Sequence, residues 1–363
     1  MNIVIITPQL PPLHGGVGTT IKQIINSVLR HKGYKITILI PTPETEYKNK
    51  ILDKLKMELE SFKTTLSIQF LPSKPIPRLF NNIVGKEFDK MARFLHHYKK
   101  YSIIQYLNLI SPDVICVFDP IALGGIPYLF GYGTAIGKEY TQNNRIPYIA
   151  YYNSHYIGAL NYYPFYIKLT FTFLIKFLTK KYLQSFDQVI VFSHYIENEL
   201  NKIKIQNTSV LTIEGPNSKL LPDIFDKYNE ELDKTTIIFF GRLMKEKNID
   251  LMINIFIELN KKNPNFRVII IGEGPEKRKL MKLKDKIDLE LYDWIETEGL
   301  YYYLAKSNIV INCTSFETAS ISLAEAMYYN CVPVAYFKGG HTKFVTNYVN
   351  GFLCKNEDDY VEK

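Results

Sequence analysis

Cysteine is scarce in this sequence, and its spacing leaves two classes of protein out. The four residues, Cys116, Cys313, Cys331 and Cys354, lie far apart in a chain of 363 residues. None forms the CxxC spacing of a zinc site, and four thiols in so long a chain are not the dense framework of a disulfide-rich secreted domain. A reducing, cytoplasmic environment is therefore predicted.

The sequence also has no long uncharged apolar run. Its most apolar stretch, YYPFYIKLTFTFLIKFLTKKYL (162–183), is interrupted by Lys168 and Lys176 and has Pro164 near its start, so it fails as a membrane-spanning helix. The amino terminus, MNIVIITPQLPP, has no basic region before its short apolar run and is predicted to be a strand rather than a signal peptide. Segment 162–183 could still lie on a membrane surface.

Charge and length bound the remaining classes. The 44 Lys and Arg against 36 Asp and Glu give a formal net charge of +8, spread along the chain. An anionic partner is favoured, but no nucleic-acid-binding motif accompanies the charge, so nucleic acid is not predicted as a partner. A length of 363 residues and a hydrophobic fraction of 46% predict a globular protein of two domains.

The first half alternates short apolar strands with segments of helical length. It begins with the strand NIVIIT, a loop containing HGGVGTT, the helical pattern TIKQIINSVLRHKG and a second strand, KITILI. Further strands are predicted at LSIQFL, DVICVF, PYIAYY and QVIVFS. This alternation predicts an α/β fold with a doubly wound parallel sheet of at least five strands.

The same alternation restarts after LTIEGPNSKLLPDIF (211–225), a segment rich in Gly, Pro, Asn and Ser. The strands TTIIFFGR, FRVIIIGEG, IVINCTS and VPVAYF follow, with the helical NIDLMINIFIELNKK after the first of them. Two Rossmann-like domains are therefore predicted, residues 1–210 and 211–363, joined near 205–233. A ligand-binding cleft is expected between the carboxyl ends of their strands.

The glycines of GGVGTT stand at the first predicted strand-to-helix turn. Gly16 and Gly18 would let the backbone approach a ligand closely there. The pattern is incomplete as a dinucleotide fingerprint, because Ile21 stands where a third glycine is required and no acidic residue ends the second strand. A nicotinamide dehydrogenase is therefore disfavoured, and a tight turn without a ligand remains an alternative to an active-site loop.

Two cations follow the first strand of the second half. Arg242 and Lys247, in GRLMKEKN (241–248), would project from the carboxyl edge of the sheet, where such a pair can hold a diphosphate. GEGP (272–275) ends the next strand at the same edge. The alternative is a solvated basic loop.

Two glutamates flank a third predicted element of this edge. After the strand NIVINCTS and the turn FETAS, the helix ISLAEAMYYN would place Glu317 before its start and Glu325 on its second turn. Helical rise over eight residues separates them by roughly 12 Å, about the span from the sugar to the ribose of a nucleotide sugar. Both would accept hydrogen bonds from hydroxyl groups. A capping glutamate and an exposed helical one are the alternative.

The amides at the start of that helix are the expected phosphate site. The backbone N–H groups of Thr318, Ala319 and Ser320 would have no partner within the helix, and a helix N-terminus attracts an anion.

The segments GGVG, GRLMKEKN, IIIGEGP, SFETASISLAEAM and CVPVAYFKGGHTKFVTNYVNGFLC together resemble the retaining glycosyltransferases of family 4, which have the GT-B fold. The match in order and spacing spans nearly the whole chain and is stronger in the second half. The Glu-x7-Glu pattern at Glu317 and Glu325 is similar to the signature of that family.

The resemblance implies a hexosyltransferase-type enzyme that moves a sugar from a nucleoside diphosphate to an acceptor hydroxyl with retained configuration. Arg242 and Lys247 would stabilise the departing diphosphate, Glu325 would bind the ribose and Glu317 the donor sugar. No Asp-x-Asp triplet occurs, in agreement with the metal-independent chemistry and absence of a cofactor that the resemblance implies. Cations and helix amides would supply the electrostatic stabilisation.

Within the family, SFETAS and IPYIAYYNSHYIGALNYYPFY are most similar to the branch of sulfoquinovosyl and glucosyl diacylglycerol synthases, which use a lipid acceptor. Peripheral membrane contact through 162–183 and RFLHHYKKY (93–101) is compatible with that branch. Each segment is also compatible with an ordinary buried or solvated helix.

The chain departs from the family pattern at three places. Asn153 stands where many relatives have a histidine, which leaves His155 as the nearby candidate for a polar catalytic partner. The signature turn has TAS in place of the usual small or glycine residues. The sequence stops at NEDDYVEK, where relatives continue with helices that cross back to the first domain, so these are expected to be missing.

The predicted site residues fall into two sets. The catalytic set is Glu317, His155, Arg242 and Lys247, and the donor-binding set is Gly16, Gly18, Arg242, Lys247, Thr318, Ala319, Ser320 and Glu325. Two alternative functions remain open, namely a sugar-nucleotide epimerase of the same shape and a degenerate protein that binds a sugar nucleotide without turnover.

Overall fold

The computed structural model describes residues 1–7, 16–29, 31–41, 66–71, 73–75, 96–98, 100–119, 140–153, 155–162, 165–211, 234–293 and 295–363. Most of the predicted linker 211–225 and parts of the predicted segments HGGVGTT and RFLHHYKKY lie outside these residues. The chain forms two compact units. The first is Met1–Leu160, Phe165–Phe192 and Glu197–Leu211, and the second is Asn161–Pro164, Ser193–Ile196 and Thr212–Lys363.

The first unit is built on a sheet of seven parallel strands. The strands of the amino-terminal half are β1 (Asn2–Ile6), β2 (Lys35–Pro41), β3 (Leu66–Leu71), β4 (Ser73–Pro75), β5 (His96–Tyr98), β6 (Val114–Phe118), β7 (Tyr148–Tyr151), β8 (Gln188–Val191) and β9 (Thr208–Val210). The sheet order is β3-β2-β1-β6-β7-β8-β9, and β4 pairs with β5 in a separate antiparallel ribbon. The prediction of a parallel sheet of at least five strands is confirmed.

These strands are nearly all apolar because a doubly wound sheet is covered on both faces. All five residues of β6, VICVF, are buried. Ile5 of β1 lies opposite Ile38 of β2 on one side and Cys116 of β6 on the other. The order reverses between β1 and β6, which is where such sheets form a ligand crevice.

The helices of the amino-terminal half are α1 (Gly16–Leu29), α2 (Lys100–Ile110), α3 (Tyr156–Ala159), α4 (Phe165–Leu183) and α5 (His194–Asn201), with a 3₁₀ turn at Leu160–Tyr162. Ile21 and Ile25 of α1, four residues apart on one helical face, are buried in the core that includes Ile3 and Ile36. The helix α1 begins four residues before the predicted Thr20. Gly16 and Gly18 therefore lie in its first turn rather than in a turn that precedes it.

The second unit repeats the same winding. Its strands are β10 (Thr235–Phe240), β11 (Phe266–Ile271), β12 (Leu289–Tyr292), β13 (Ile309–Asn312), β14 (Val332–Tyr336) and β15 (Phe352–Cys354). They form one parallel sheet in the order β12-β11-β10-β13-β14-β15. Four of the six were predicted, and β12 and β15 were not.

Helices cover both faces of this sheet. They are α6 (Ile249–Lys262), α7 (Lys277–Met281), α8 (Thr297–Ala305), α9 (Ile321–Tyr328) and α10 (Glu357–Glu362), with 3₁₀ turns at Lys245–Lys247 and Gly340–Lys343. Met252, Ile255 and Phe256 of α6 pack against one face of the sheet, while Leu304 of α8 and Leu323 of α9 pack against the other. Each fully buried side chain of this size contributes about 1.5–3 kcal/mol of transfer free energy.

All four cysteines are buried as free thiols. Cys116 lies in β6 of the first unit, and Cys313, Cys331 and Cys354 lie in the second. Burial raises the pKa of Cys116, Cys331 and Cys354 to about 12. These groups are packing residues in their neutral form.

Candidate functional site

The topology of the second sheet points to the loops after β10 and β13. The strand order reverses between these two neighbours, and a crevice forms outside the carboxyl ends of the strands at such a switch point. The loop after β10 contains Arg242 and Lys247, and the loop after β13 contains Glu317. Charged residues predicted from separate parts of the sequence therefore emerge beside one another.

Glycines fix the loop after β10 against the loop after β11. A Cβ atom on Gly272 would lie 1.9 Å from the carbonyl oxygen of Gly241, and one on Gly274 would lie 2.2 Å from that of Leu243. The Leu243 amide donates to the Glu273 carbonyl at 2.7 Å, which locks the two loops together. The glycines of GEGP thus serve this backbone contact, which any side chain would prevent.

Lys247 and Glu317 form an ion pair across the switch point. Lys247 Nζ donates to Glu317 Oε2 at 2.7 Å, and the two side chains are only 18% and 19% exposed. Lys247 ends the 3₁₀ turn that precedes α6, and Asn248 then enters the helix with a left-handed φ of 53°. Sequence reasoning selected both residues for different ends of a ligand, and their direct contact was not predicted.

The local field keeps Glu317 ionised. Burial alone would raise its pKa, but the charge of Lys247, helped by that of Arg242, holds the pKa below the usual value. Arg242 itself is more open, with a side chain 48% exposed and Nη2 3.6 Å from Glu246 Oε1. The site therefore contains two cations and a carboxylate that stays charged near neutral pH.

The prediction of about 12 Å between Glu317 and Glu325 assumed helical rise over all eight residues. The helix α9 begins at Ile321, and Ser320 before it has a left-handed conformation with φ 49° and ψ 46°. Residues 317–320 are therefore not helical, so the rise per residue cannot be carried across them to give a separation of about 12 Å. Thr318 and Ala319 lie in the turn before the helix, where the sequence predicts them.

Gly339 and Gly340 pack against the loop of residues 317–320. The Gly340 amide donates to the Glu317 carbonyl at 2.6 Å. A Cβ atom on Gly340 would lie 2.7 Å from the Thr318 carbonyl group, and one on Gly339 would lie 3.0 Å from the Glu317 amide nitrogen. Only glycine at positions 339 and 340 lets this backbone approach the loop so closely, because any side chain would clash with it.

His341, which sequence reasoning passed over, holds the same loop at two points. Its Nε2 lies 2.9 Å from the Thr314 carbonyl oxygen and its Nδ1 lies 2.5 Å from Ser320 Oγ. A carbonyl group only accepts, so Nε2 carries the hydrogen and the Ser320 hydroxyl donates to Nδ1. Burial lowers the pKa of His341, although the charge of Glu317 opposes this effect. The lowered pKa favours the neutral imidazole.

Two further contacts anchor the start of the loop. Asn312 Oδ1 accepts from the Thr314 amide at 3.0 Å, and the hydroxyl of Tyr360 in α10 donates to the Asn312 carbonyl at 2.8 Å. Asn312, Thr314, Ser320 and His341 are all at most 3% exposed. Buried hydrogen bonds of this kind fix a loop in one conformation.

Glu325 lies on the second turn of α9 and is partly buried. Burial raises its pKa to about 7. Its charge in turn raises the pKa of Tyr301 and Tyr329, whose own burial is the larger cause for both. At neutral pH this carboxyl group is therefore divided between a form that only accepts hydrogen bonds and one that can also donate.

The remaining predicted site residues belong to the first unit. His155 precedes α3 and is 5% exposed, and burial lowers its pKa to about 4, an effect partly opposed by Glu199. It is therefore a neutral imidazole at physiological pH. Asn153 follows β7, and Gly16 and Gly18 lie in α1.

Two features are absent from the described part of the chain. Within the described ranges, no group of three or more His, Cys, Asp or Glu residues is arranged to hold a metal ion. No helix in the described part of the chain combines the length and apolar character needed to span a bilayer.

Comparisons with known proteins agree with this architecture. Over all 363 residues the structure superposes with a TM-score of 0.72 and 17% identity on sucrose-phosphate synthase from Thermosynechococcus elongatus, covering 88% of that chain. It also superposes on Anabaena Alr3699/HepE in complex with UDP-glucose, with a TM-score of 0.65, 14% identity and coverage of 100% and 88% of the two chains. The fold is that of the GT-B glycosyltransferases, with two Rossmann-like domains.

The sequence comparisons make the class more specific. Residues 222–363 match the family described as "Glycosyl transferases group 1". Alpha-monoglucosyldiacylglycerol synthase of Acholeplasma laidlawii is 24% identical over 382 aligned positions, which cover 99% of this chain and 86% of that protein. Residues 222–363 thus form a group 1 glycosyltransferase domain, and the chain is a glycosyltransferase.

Proposed function

We propose that this enzyme transfers a sugar from a nucleoside diphosphate to a lipid hydroxyl with retention of configuration, as a member of family 4 that needs no metal ion. The bond from the anomeric carbon to the diphosphate breaks, and its electron pair leaves with the diphosphate. The acceptor oxygen then bonds to the same face of that carbon and loses its proton.

The observation that carries the proposal is the cluster of Lys247, Glu317 and Arg242 at the switch point of the second sheet. Lys247 Nζ lies 2.7 Å from Glu317 Oε2. A diphosphate offers more negative charge than one carboxylate, so it would compete with Glu317 for Lys247. Arg242, which is half exposed, is available to approach a second phosphate oxygen. The two cations would then stabilise the charge that develops on the leaving group.

Release from Lys247 would free Glu317 to accept a hydrogen bond from a sugar hydroxyl. Its low pKa keeps it ionised and therefore able to accept. The amides of Thr318, Ala319 and Ser320 would serve the phosphates, on a loop that Gly339, Gly340 and His341 hold in place. Glu325 would bind the ribose, and a pKa of about 7 lets it accept from one hydroxyl or donate to another.

In the first unit, His155 would act as a neutral polar partner of the reacting sugar. Its pKa of about 4 means that it is available as a hydrogen-bond acceptor or donor but carries no charge. Gly16 and Gly18, at the start of α1, would allow the helix amides to approach the donor.

The lipid acceptor is supported by the name of a relative. The Acholeplasma laidlawii protein is named for a glucosylated diacylglycerol with an alpha linkage. Retention converts an α-configured donor into an α-configured product. We place the enzyme in the cytoplasm, at the face of a membrane that supplies the acceptor.

The test is a transfer assay with a panel of uridine, guanosine and adenosine diphosphate sugars and with diacylglycerol as acceptor. Lys247→Met should lower the rate of sugar transfer at least about a hundredfold, since removal of one preorganised transition-state contact typically has that effect. Lys261→Met is the matched control, because Lys261 pairs with Glu258 at 2.6 Å on the exposed side of α6 and should leave the rate unchanged.

The anomeric configuration of the product, read by NMR coupling constants, tests retention. An inverted product would overturn that part of the proposal. Undiminished transfer by the Lys247 variant would overturn the assigned site, and release of a free or epimerised sugar in place of a glycolipid would overturn the reaction.

A further inference from the structure

The exposed hydrophobic side chains of this protein are concentrated on one helix. Among the described residues, thirteen large hydrophobic side chains are exposed, and six of them lie in α4 (Phe165–Leu183). The others are scattered singly or in pairs over both units. Single exposed apolar residues are normal, but a contiguous patch on one element marks an interaction surface.

The exposed residues of α4 form a stripe along one helical face. Phe165, Leu169, Phe173 and Phe177 recur at every fourth position and are 76%, 67%, 79% and 53% exposed, and Tyr166, 68% exposed, lies beside them. Ile175, Leu178 and Thr179, on the opposite face, are buried. The helix is therefore attached to the protein by one side and presents aromatic rings on the other.

The charges of α4 identify the partner. Its sequence, FYIKLTFTFLIKFLTKKYL, contains four lysines and no acidic residue. Lys168, Lys176 and Lys181 are exposed, and Lys180 is partly so. Aromatic and leucine side chains flanked by lysines suit the boundary between lipid head groups and acyl chains, where the rings enter the bilayer and the ammonium groups meet phosphates.

We propose that the stripe of α4 docks the protein on an anionic phospholipid bilayer, with the helix lying in the plane of the interface. Aromatic side chains dominate the stripe, as they do at membrane interfaces. The four lysines would supply the attraction to acidic head groups. This inference concerns bilayer binding alone and would hold even if the sugar acceptor were not a lipid.

The test is co-sedimentation of the full chain with phosphatidylcholine vesicles, with and without phosphatidylglycerol. Binding should require phosphatidylglycerol and should weaken as salt is added. Phe173→Ser combined with Phe177→Ser should weaken binding at least about tenfold, and each lysine changed to glutamine should weaken it about fivefold. Met281→Ser, a change at a residue 57% exposed on the second unit, is the matched control and should have no effect.

A second readout places the helix in the membrane. Phe173→Trp should show a blue-shifted emission on addition of the anionic vesicles and quenching by brominated acyl chains, because the ring should lie about 5–10 Å into the interface. Circular dichroism establishes that each variant is folded.

Three results would overturn the proposal. They are unchanged sedimentation of the double serine variant, a Phe173→Trp emission that vesicles do not alter, and self-association in ultracentrifugation that the serine changes abolish while vesicle binding stays intact. The last would assign the stripe to a contact between copies of the chain. Sugar transfer to a soluble acceptor is measured in parallel, so that loss of docking is distinguished from loss of catalysis.

Discussion

The two parallel sheets have the same strand order around their first strands, β1 and β10, but differ in the residues at their carboxyl ends. In the second unit, these strand ends carry two cations and an ionised carboxylate on loops interlocked by glycines. In the first unit, the segment after β7 carries Asn153 and His155, and burial keeps the His155 imidazole neutral. The shared winding fixes where loops emerge, and the residues in those loops decide which chemistry each unit supports.

The largest effect is expected when the Lys247–Glu317 ion pair of the second unit is reversed. A protein with Lys247→Glu and Glu317→Lys keeps an attractive pair but exchanges the positions of its charges. We expect sugar transfer to fall about a thousandfold, because the cation no longer lies where the diphosphate leaves. Urea denaturation should show a smaller loss of stability than in either single variant. Recovered transfer in the double variant would show that the pair is structural only.

The interlocked glycines should be essential for the stability of the second unit. Gly274→Ala places a Cβ atom 2.2 Å from the Leu243 carbonyl oxygen, and relief of that clash should cost about 3 kcal/mol of unfolding free energy. Gly299→Ala is the control. Its Cβ atom would make ordinary contacts at 3.8–3.9 Å with the side chain of Ile295, just before α8, and the change should stabilise the helix by up to about 1 kcal/mol. Equal denaturation midpoints for the two variants would contradict the argument.

Buried titratable groups give the two units opposite responses to pH. The pKa of Glu325 is raised to about 7, so the folded state binds more protons than the unfolded state between about pH 4.5 and 7, and stability falls as pH rises through that window. The pKa of His155 is lowered to about 4, so the unfolded state binds more protons between about pH 4 and 6.5, and stability rises with pH there.

Single substitutions should separate these two slopes. The unfolding free energy of Glu325→Gln should exceed that of the wild type by an amount that grows as the pH rises from about 5 to 7. That of His155→Asn should exceed it by an amount that grows as the pH falls from about 6.5 to 5. Each difference should be at most about 3 kcal/mol. Urea titrations at a series of pH values provide the measurement. Parallel pH profiles for both variants and the wild type would refute the assignment of these groups.

His341 should matter less for the fold than the glycines but should affect donor binding. His341→Phe removes the hydrogen bonds to Thr314 and Ser320 and should cost about 2 kcal/mol of stability. We expect the KM for the donor to rise more than kcat falls, and His341→Gln to restore part of the loss through a bond to Thr314. His31→Phe, at an exposed position, is the control. A fall in kcat alone would point to a direct chemical role instead.

The smallest effect is expected at the exposed end of the site. Glu246 Oε1 lies 3.6 Å from Arg242 Nη2, and the arginine is 48% exposed, so Glu246→Gln should change stability by less than about 0.5 kcal/mol. Thermal denaturation would detect a larger change, which would show that Glu246 is part of the buried network.

Much of the fold follows from the sequence because its strands are continuous apolar runs between turn residues. Five strands were missed, namely β4, β5, β9, β12 and β15. All are short, and β12 contains Glu290 near its centre. The start of α1 was placed too late because glycines were interpreted as a turn, whereas tertiary packing of Ile21 and Ile25 supports a helix from Gly16.

The site was predictable in its residue types but not in its contacts. Charges directly after strands indicate a strand-end site, and this reasoning found Arg242, Lys247 and Glu317. It did not find the bond between Lys247 and Glu317, because those residues are 70 positions apart in the chain. A lone histidine after GG gives little signal by itself, and the role of His341 depends on loops brought together only by folding.

The four buried thiols can report local unfolding of the protein. A thiol with a pKa near 12 reacts with an alkylating reagent only when its surroundings open. Cys116 is the single thiol of the first unit, while Cys313, Cys331 and Cys354 belong to the second. Mass spectrometry of labelled peptides can therefore follow the breathing of each unit separately, without any engineered probe.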